Sequence, residues 1–368
     1  MGPGVSPLRA ELSEGLSREW DSLADSLNAS PFLRPGWILA WWSAFGSGRL
    51  SLVQSRRGSS LEGLLPVARH LGATRSPTNW HTPEFGPLCA EDGADALLAQ
   101  LFSRRSRTVE LGWVTAGSAV LNWLERAATD AGYAVSLRAR ERSPIVHLDG
   151  DWQAYERSLS GNLRRDLGRR RRRLEELGEV TLDVRSSPEG LEEAFSLEAL
   201  GWKGSRQTAM SSRPHTARFY REIARWATER GWLRLIFLRV GGRPLAFHFA
   251  LETAETYYAL KGGFDPSFSP YSPGALMIHA TLERAFREGL RRYELLGNSD
   301  WYKRRWTADA REKLLFQAFA PTPLGGLNRT AEEFGRPLTK ALLKRVEHAW
   351  QTASSRARGP SPVRSAPR

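Results

Sequence analysis

Three apolar strands and a helix follow one another closely between Leu233 and Glu288, and this run constrains the fold more than any other part of the chain. "LRLIFLRV" (233–240) meets "RPLAFHFALE" (243–252) through Gly241-Gly242, a pair suited to a tight hairpin. A polar turn then leads to "TYYALKGGF" (256–264). Next comes "SPYSPGALMIHATLERAFREG", a helix with Ser272 as a possible cap and Pro273 at its first position. The strand "RRYELLG" follows, and the strand-like "KLLFQAFAP" ends this half.

Upstream, "DWQAYERSLSGNLRRDLGRRRRRLEELG" reads as helices with Gly178 as the stop. The strand "VTLDVR", helical "PEGLEEAFSLEALGWKG" and the helix "HTARFYREIARWATERGW" come after it. The first half follows a similar order. Helices near "LSREWDSLADSL" and "PGWILAWWSAF" precede the strands "RLSLVQSRR" and "LEGLLPVARH". A Pro-rich irregular stretch, the helix "ADALLAQLF", the strand "TVELGWV" and the helix "SAVLNWLERAATDAGY" lead to two strands around "AVSLRARE" and "PIVHL". Each half is therefore expected to be an α+β layer, with helices on a mainly antiparallel sheet.

Composition narrows the class. With 368 residues, 41% hydrophobic and 25% charged, the chain is an ordinary folded protein of about two domains. The single cysteine, Cys89, excludes an internal disulfide, and no Cys/His cluster has zinc-site spacing, so no metal is expected. A reducing, cytoplasmic setting is the simplest reading. The longest apolar stretch, "WILAWW", is far too short to span a membrane.

The charge is unevenly placed. Leu163–Leu174 carries seven Arg and one Asp, and the Pro/Ser/Gly-rich tail 351–368 carries four Arg and no acid, so these segments supply +10 of the net +13. The rest of the chain is nearly balanced, which argues against a uniformly basic nucleic-acid coat. Arg164–Arg173 can face water from a helix with a leucine stripe, or can bind tRNA or another anionic polymer.

The words "WKGSRQTAM", "GGRPLAFHFALE", "YYALKGGFDPSFSPYSPGALMIHATLERAFREG" and "YELLGNSDWYKRRW" resemble the CelD/BioF-associated acetyltransferase-like group of GNAT proteins, which is related to the FemAB aminoacyl transferases. The resemblance covers about Asp151 to Pro321 well and the first half loosely. It implies tandem GNAT-like domains: 1–150, a degenerate copy on the acceptor side, and 151–327, an acetyltransferase-like domain. A helix at 328–350 is expected to follow, and the composition of 351–368 reads as a disordered basic tail. It implies an acyl-CoA donor and an amine or hydroxyl acceptor. A FemAB-like enzyme using aminoacyl-tRNA and a non-catalytic scaffold binding RNA or an anionic polymer remain open.

Acyl transfer from a thioester needs a positioned nucleophile, donors aimed at the oxyanion and a destination for a proton. Positioning can lower the barrier by about 7–11 kcal/mol, so geometry matters more than a conspicuous base. A helix start offers unpaired N–H groups to a pyrophosphate, which makes Ser272, Gly274, Ala275 and Leu276 the candidate phosphate cradle. Alignment with the family pattern puts Glu294 where an acid usually sits, Asp300 at a second acidic position and Tyr302-Lys303 on the closing Tyr-Lys. Asp300 could orient or deprotonate the acceptor, Tyr302 protonate the thiolate and Lys303 bind an acidic group. His248 is a candidate base, and Tyr258, Lys261, Trp202 and Lys203 are candidate substrate-binding residues. An ordinary capped helix, a packed tryptophan and a hydrogen-bonded core histidine are the structural alternatives.

Overall fold

The computed structural model describes residues 14–326, except Leu71, Arg104, Arg105, 202–208 and Leu324. Trp202, Lys203, the expected helix at 328–350 and the basic tail lie outside the described residues. The chain order is α1 (Glu14–Ser26), α2 (Pro35–Phe45), β1 (Arg49–Arg57), β2 (Ser60–His70), β3 (Ala73–Arg75), β4 (Leu88–Cys89), α3 (Glu91–Ser103), β5 (Thr108–Thr115), α4 (Ala119–Asp130) and β6 (Ala134–His147). It continues with α5 (Trp152–Ser158), α6 (Gly161–Glu175), β7 (Val180–Arg185), α7 (Leu191–Leu200), α8 (Pro214–Glu229), β8 (Leu233–Val240), β9 (Arg243–Glu252), β10 (Thr256–Phe264), α9 (Pro273–Arg287), β11 (Arg292–Glu294) and β12 (Ala310–Phe319).

The strands join in one mixed sheet of order β1-β2-β3-β5-β12-β6-β11-β10-β9-β8-β7, with β4 paired to β2. Most neighbours are antiparallel, as expected. The β8–β9 hairpin turns on Gly241 (φ 54°) and Gly242 (φ 81°), a left-handed pair that a side chain would strain. Each half also contains one parallel pair whose strands are separated in sequence by a helix: β3 with β5 around α3, and β10 with β11 around α9.

Two details differ from the sequence reading. The two strands expected around "AVSLRARE" and "PIVHL" are one 14-residue strand, β6. Pro144, which suggests a break, instead marks the point where β6 exchanges partners: residues 134–144 pair with β12, and residues 145–147 pair with β11 on the other edge. Proline donates no N–H, so a change of partner is a place where it costs little. The second detail concerns β12. It closes the second half in sequence but lies between β5 and β6, in the sheet of the first half.

The core is shared as well. Trp37 and Phe32 from the first half meet Phe219 and Tyr258 from the second, edge to face, with ring centroids 5.3 and 5.1 Å apart. Such pairs contribute about 0.5–1.5 kcal/mol beyond the area they bury. The apolar α2 crosses α8 closely, and a Cβ on Gly36 would fall 2.0 Å from Trp226 Nε1. On the opposite face of β9 and β10, α9 covers Ala246, Ala250 and Tyr257. There Glu252 accepts a hydrogen bond from Arg234 Nε (2.8 Å) and pairs with Arg284, so its burial is compensated by two guanidinium groups.

Gly36→Val should lower stability by about 1–3 kcal/mol through overpacking, read as an earlier unfolding midpoint in denaturant. Trp226→Ala should recover part of that loss. Strict additivity of the two changes would show that the α2–α8 crossing is not where the strain arises.

Candidate active site

The site begins where two parallel strands part. β10 pairs with β11 only at Thr256–Tyr258 against Arg292–Glu294, whereas β10 itself runs on to Phe264. A bulge in its pairing with β9 lies between Ala259 and Lys261, and the chain leaves β11 through Leu296 (φ 49°) and Gly297 (φ 63°), both left-handed. The segment of β10 from Ala259 onward is therefore not paired with β11.

α9 starts beyond the far end of β10. Ser272 occupies its cap position in a left-handed conformation (φ 47°, ψ 55°) and makes no side-chain cap bond, contrary to the capping role expected of it. A side chain carried in that conformation does not reach the amides of the first turn as an extended cap residue does. The Ser272 carbonyl accepts from Ala275 N (3.0 Å) and Leu276 N (3.2 Å). Pro273 has no N–H, so the Gly274 amide is the first-turn donor with no partner among the described residues. A Cβ at Gly274 would stand 3.4 Å from Phe264, an ordinary contact, so internal packing does not require glycine there.

A cavity of about 300 Å³ adjoins the divergence and lies between the halves. Its floor is a row of side chains on one face of four adjacent strands, β10, β11, β6 and β12. Tyr258 stands beside Glu294 across the β10–β11 pair, Glu294 opposes Ile145 of β6, and Arg311 and Lys313 of β12 oppose Ser143 and Glu141. Asn28, Ser30 and Glu84 of the first half line the same cavity. Arg311 Nη1 donates to Glu294 Oε1 at 2.9 Å. Lys313, 3% exposed, donates to Thr115 Oγ1 at 2.9 Å and lies 3.6 Å from Glu84 Oε1.

The two carboxylates are pushed apart in acidity. Burial raises the Glu294 carboxyl above its ordinary value, and Arg311 and Lys313 offset this only in part. Burial acts on Glu84 in the same sense, but the Lys313 ammonium, hydrogen bonding and Arg311 outweigh it and hold that carboxyl low. Of the pair, Glu294 is thus the better proton acceptor and Glu84 the fixed anion. Burial, with Glu294 and Glu84 nearby, keeps the Tyr258 hydroxyl protonated well above neutral pH.

Tyr258 and Glu294 are the residues singled out in the sequence that reach this cavity. Lys261 lies on the same side of the sheet, deeper along β10, with its Nζ 4.4 Å from the Trp80 ring centroid and 5.6 Å from that of Tyr220. His81 of the first half bonds the Tyr220 hydroxyl at 2.8 Å there, and burial, Lys261 and His215 lower its pKa to about 2. His248 lies on the opposite, α9-covered face, 3.3 Å from the Tyr257 hydroxyl, so the sheet separates it from Tyr258. Lys303 is buried and donates its ammonium to the Leu296 carbonyl, which anchors the loop that borders the cavity. Asp300 is exposed, and its carbonyl accepts from Lys303 N (3.0 Å). Tyr302 is 41% exposed on the same turn.

Glu84, Arg311 and Lys313 were not among the candidates. Strand alternation does put Arg311 and Lys313 on one face of β12, but only the sheet order makes that face an interior. Among the described residues, no group of three His, Cys, Asp or Glu could hold a metal, and no helix is long and apolar enough to cross a membrane.

Lys313→Met should destabilise the fold by about 1–3 kcal/mol at neutral pH by leaving Glu84 without its ammonium. A depressed carboxyl stabilises above its unfolded pKa and loses that contribution as pH falls through its folded pKa. The gap between wild type and variant should therefore shrink below the ordinary carboxylate range. A gap independent of pH in denaturant titrations would assign the loss to packing.

Residues 161–304 match the profile of the Acetyltransferase (GNAT) domain. No curated protein matches the sequence. Among solved structures, FemX is similar at 13% identity and a TM-score of 0.62, over 84% of this chain and 98% of that one. The C-terminal domain of a putative lysylphosphatidylglycerol synthetase from Agrobacterium fabrum is similar at 13% identity and a TM-score of 0.51, over 79% and 90%. Together with the paired parallel strands and the opening between β10 and β11, these likenesses give the chain a GNAT/FemAB-like acetyltransferase fold, with the matching GNAT domain forming most of its second half.

Proposed function

We propose that the chain transfers an acyl group from an acyl-CoA to an amine or hydroxyl acceptor held in the cavity between the halves. The observation that carries this reading is the row Tyr258–Glu294–Arg311–Lys313, placed where β10 and β11 diverge. In the proposed arrangement the donor lies along the unpaired part of β10 and its phosphates meet the start of α9 at Gly274. The acceptor nucleophile attacks the thioester carbonyl and gives its proton to Glu294, whose raised pKa suits it to that role. Arg311 holds the carboxylate, and the Tyr258 hydroxyl, which stays protonated, donates to the developing oxyanion. Collapse of the intermediate breaks the carbon–sulfur bond, and the proton on Glu294 passes to the departing thiolate. Lys303 acts by positioning Leu296, and the cytoplasm is the proposed setting.

The second reading is aminoacyl transfer from tRNA, which the FemAB resemblance implies and the likeness to FemX supports at the level of the fold. It uses the same row of side chains and differs in the donor.

Glu294→Gln should lower kcat about 100- to 10,000-fold with little change in KM. In the wild type, kcat/KM should rise with pH through the raised pKa of Glu294, and that limb should vanish in the variant. Undiminished turnover would move the base elsewhere.

Calorimetric titration with acetyl-CoA and longer acyl-CoAs should show saturable binding that Gly274→Glu removes, because the new carboxylate occupies the phosphate position. A folded wild type that ignores acyl-CoA, together with turnover abolished by RNase, would establish the tRNA donor instead.

A further inference from the structure

We propose that the outer face of α6, together with the turn Trp301–Trp306, is a docking surface for an anionic membrane. α6 turns Leu163, Leu167 and Leu174 into the core, all under 5% exposed, so the helix is fixed on the body with its opposite side uncovered by the described residues. Arg165, Arg169 and Arg172 recur at i, i+4 and i+7, which aligns them on one stripe about 10 Å long. Together with Arg164 and Arg305 they line a single open groove of about 1000 Å³, where Asp166 is the one acid. Asp166 is already engaged by Arg169 (2.6 Å) and Arg170 (2.8 Å), so the groove keeps a strong positive excess.

Beside Arg305, the same turn exposes Trp301 (68%) and Tyr302 (41%), their rings edge to face with centroids 6.3 Å apart. Tryptophan and tyrosine next to arginine suit the boundary between headgroups and acyl chains, where the ring is sheltered and the charge meets phosphate. A single-stranded nucleic acid would be expected to find aromatic rings interleaved with the bases along its path. This groove is lined by no aromatic ring: both aromatics stand outside it on the turn. The arrangement therefore favours a lipid surface over RNA, and no spanning helix is required for it.

The test is co-sedimentation of the full chain with vesicles of equal parts phosphatidylglycerol and phosphatidylcholine, compared with phosphatidylcholine alone. Binding is expected to the anionic vesicles only and to weaken with salt. With about fivefold per base near such a surface, the triple variant Arg165→Gln, Arg169→Gln, Arg172→Gln should bind about 100-fold more weakly. These residues are exposed, so the variant should fold. Trp301→Ala should weaken binding by a salt-independent factor. Absence of binding to anionic vesicles, equal binding to neutral ones, or binding untouched by both variants would overturn the proposal. So would retention of a single-stranded RNA by the wild type, lost in the triple variant, with the vesicles ignored.

Discussion

The structure depends on one uninterrupted strand. Because β6 carries β12 on one edge and β11 on the other, the two halves are joined through backbone hydrogen bonds as well as through side chains. Antiparallel pairing on both edges fixes the register, and the register decides which side chains share a face. Tyr258, Glu294, Arg311 and Lys313 come from three strands that are not all neighbours in the sheet, yet they form one row because β6, between β11 and β12, holds those strands at fixed offsets. A one-residue slip of β12 would turn Arg311 and Lys313 away from the cavity.

The second constraint is the early separation of β10 and β11. Parallel strands joined through a helix leave their far ends free to diverge, and the left-handed Leu296-Gly297 pair takes the chain away immediately after Glu294. Lys303 then fastens that exit through the Leu296 carbonyl. A polar, partly buried space at such a divergence is stable only when its charges are paired, which Arg311 with Glu294 and Lys313 with Glu84 achieve. The opposing effects on the two carboxyls follow from that pairing: Glu84 is held as an anion, whereas burial prevails at Glu294.

The arginine helix shows how one element serves structure and surface together. Its leucines seat it, and Arg170 reaches the Pro270 carbonyl at 2.8 Å, just before the start of α9. The remaining arginines are left on the outside, next to the exposed aromatic turn.

Period and punctuation in the sequence determined the local elements. β8, β9 and β10 have the ends expected of them, because alternating apolar residues end at Gly241-Gly242 and at a polar turn. α2 lies over the expected Pro35–Phe45, and the α+β class with a mainly antiparallel sheet follows from the order of these elements. Local signals stop there. The two strands read around "AVSLRARE" and "PIVHL" are one, because the missing N–H of Pro144 says nothing about whether a partner is present on that edge. β12 was read only as the end of the second half, and pairing across about 200 residues put it next to β5. His248 and Tyr258 were equally plausible from alternation, and only the placement of α9 on one face and the first half on the other separated them. Glu84 carries no local mark, and alternation along β12 aligns Arg311 with Lys313 without saying that their face is an interior. Their role arises from burial and from each other's charge, which the tertiary structure alone creates.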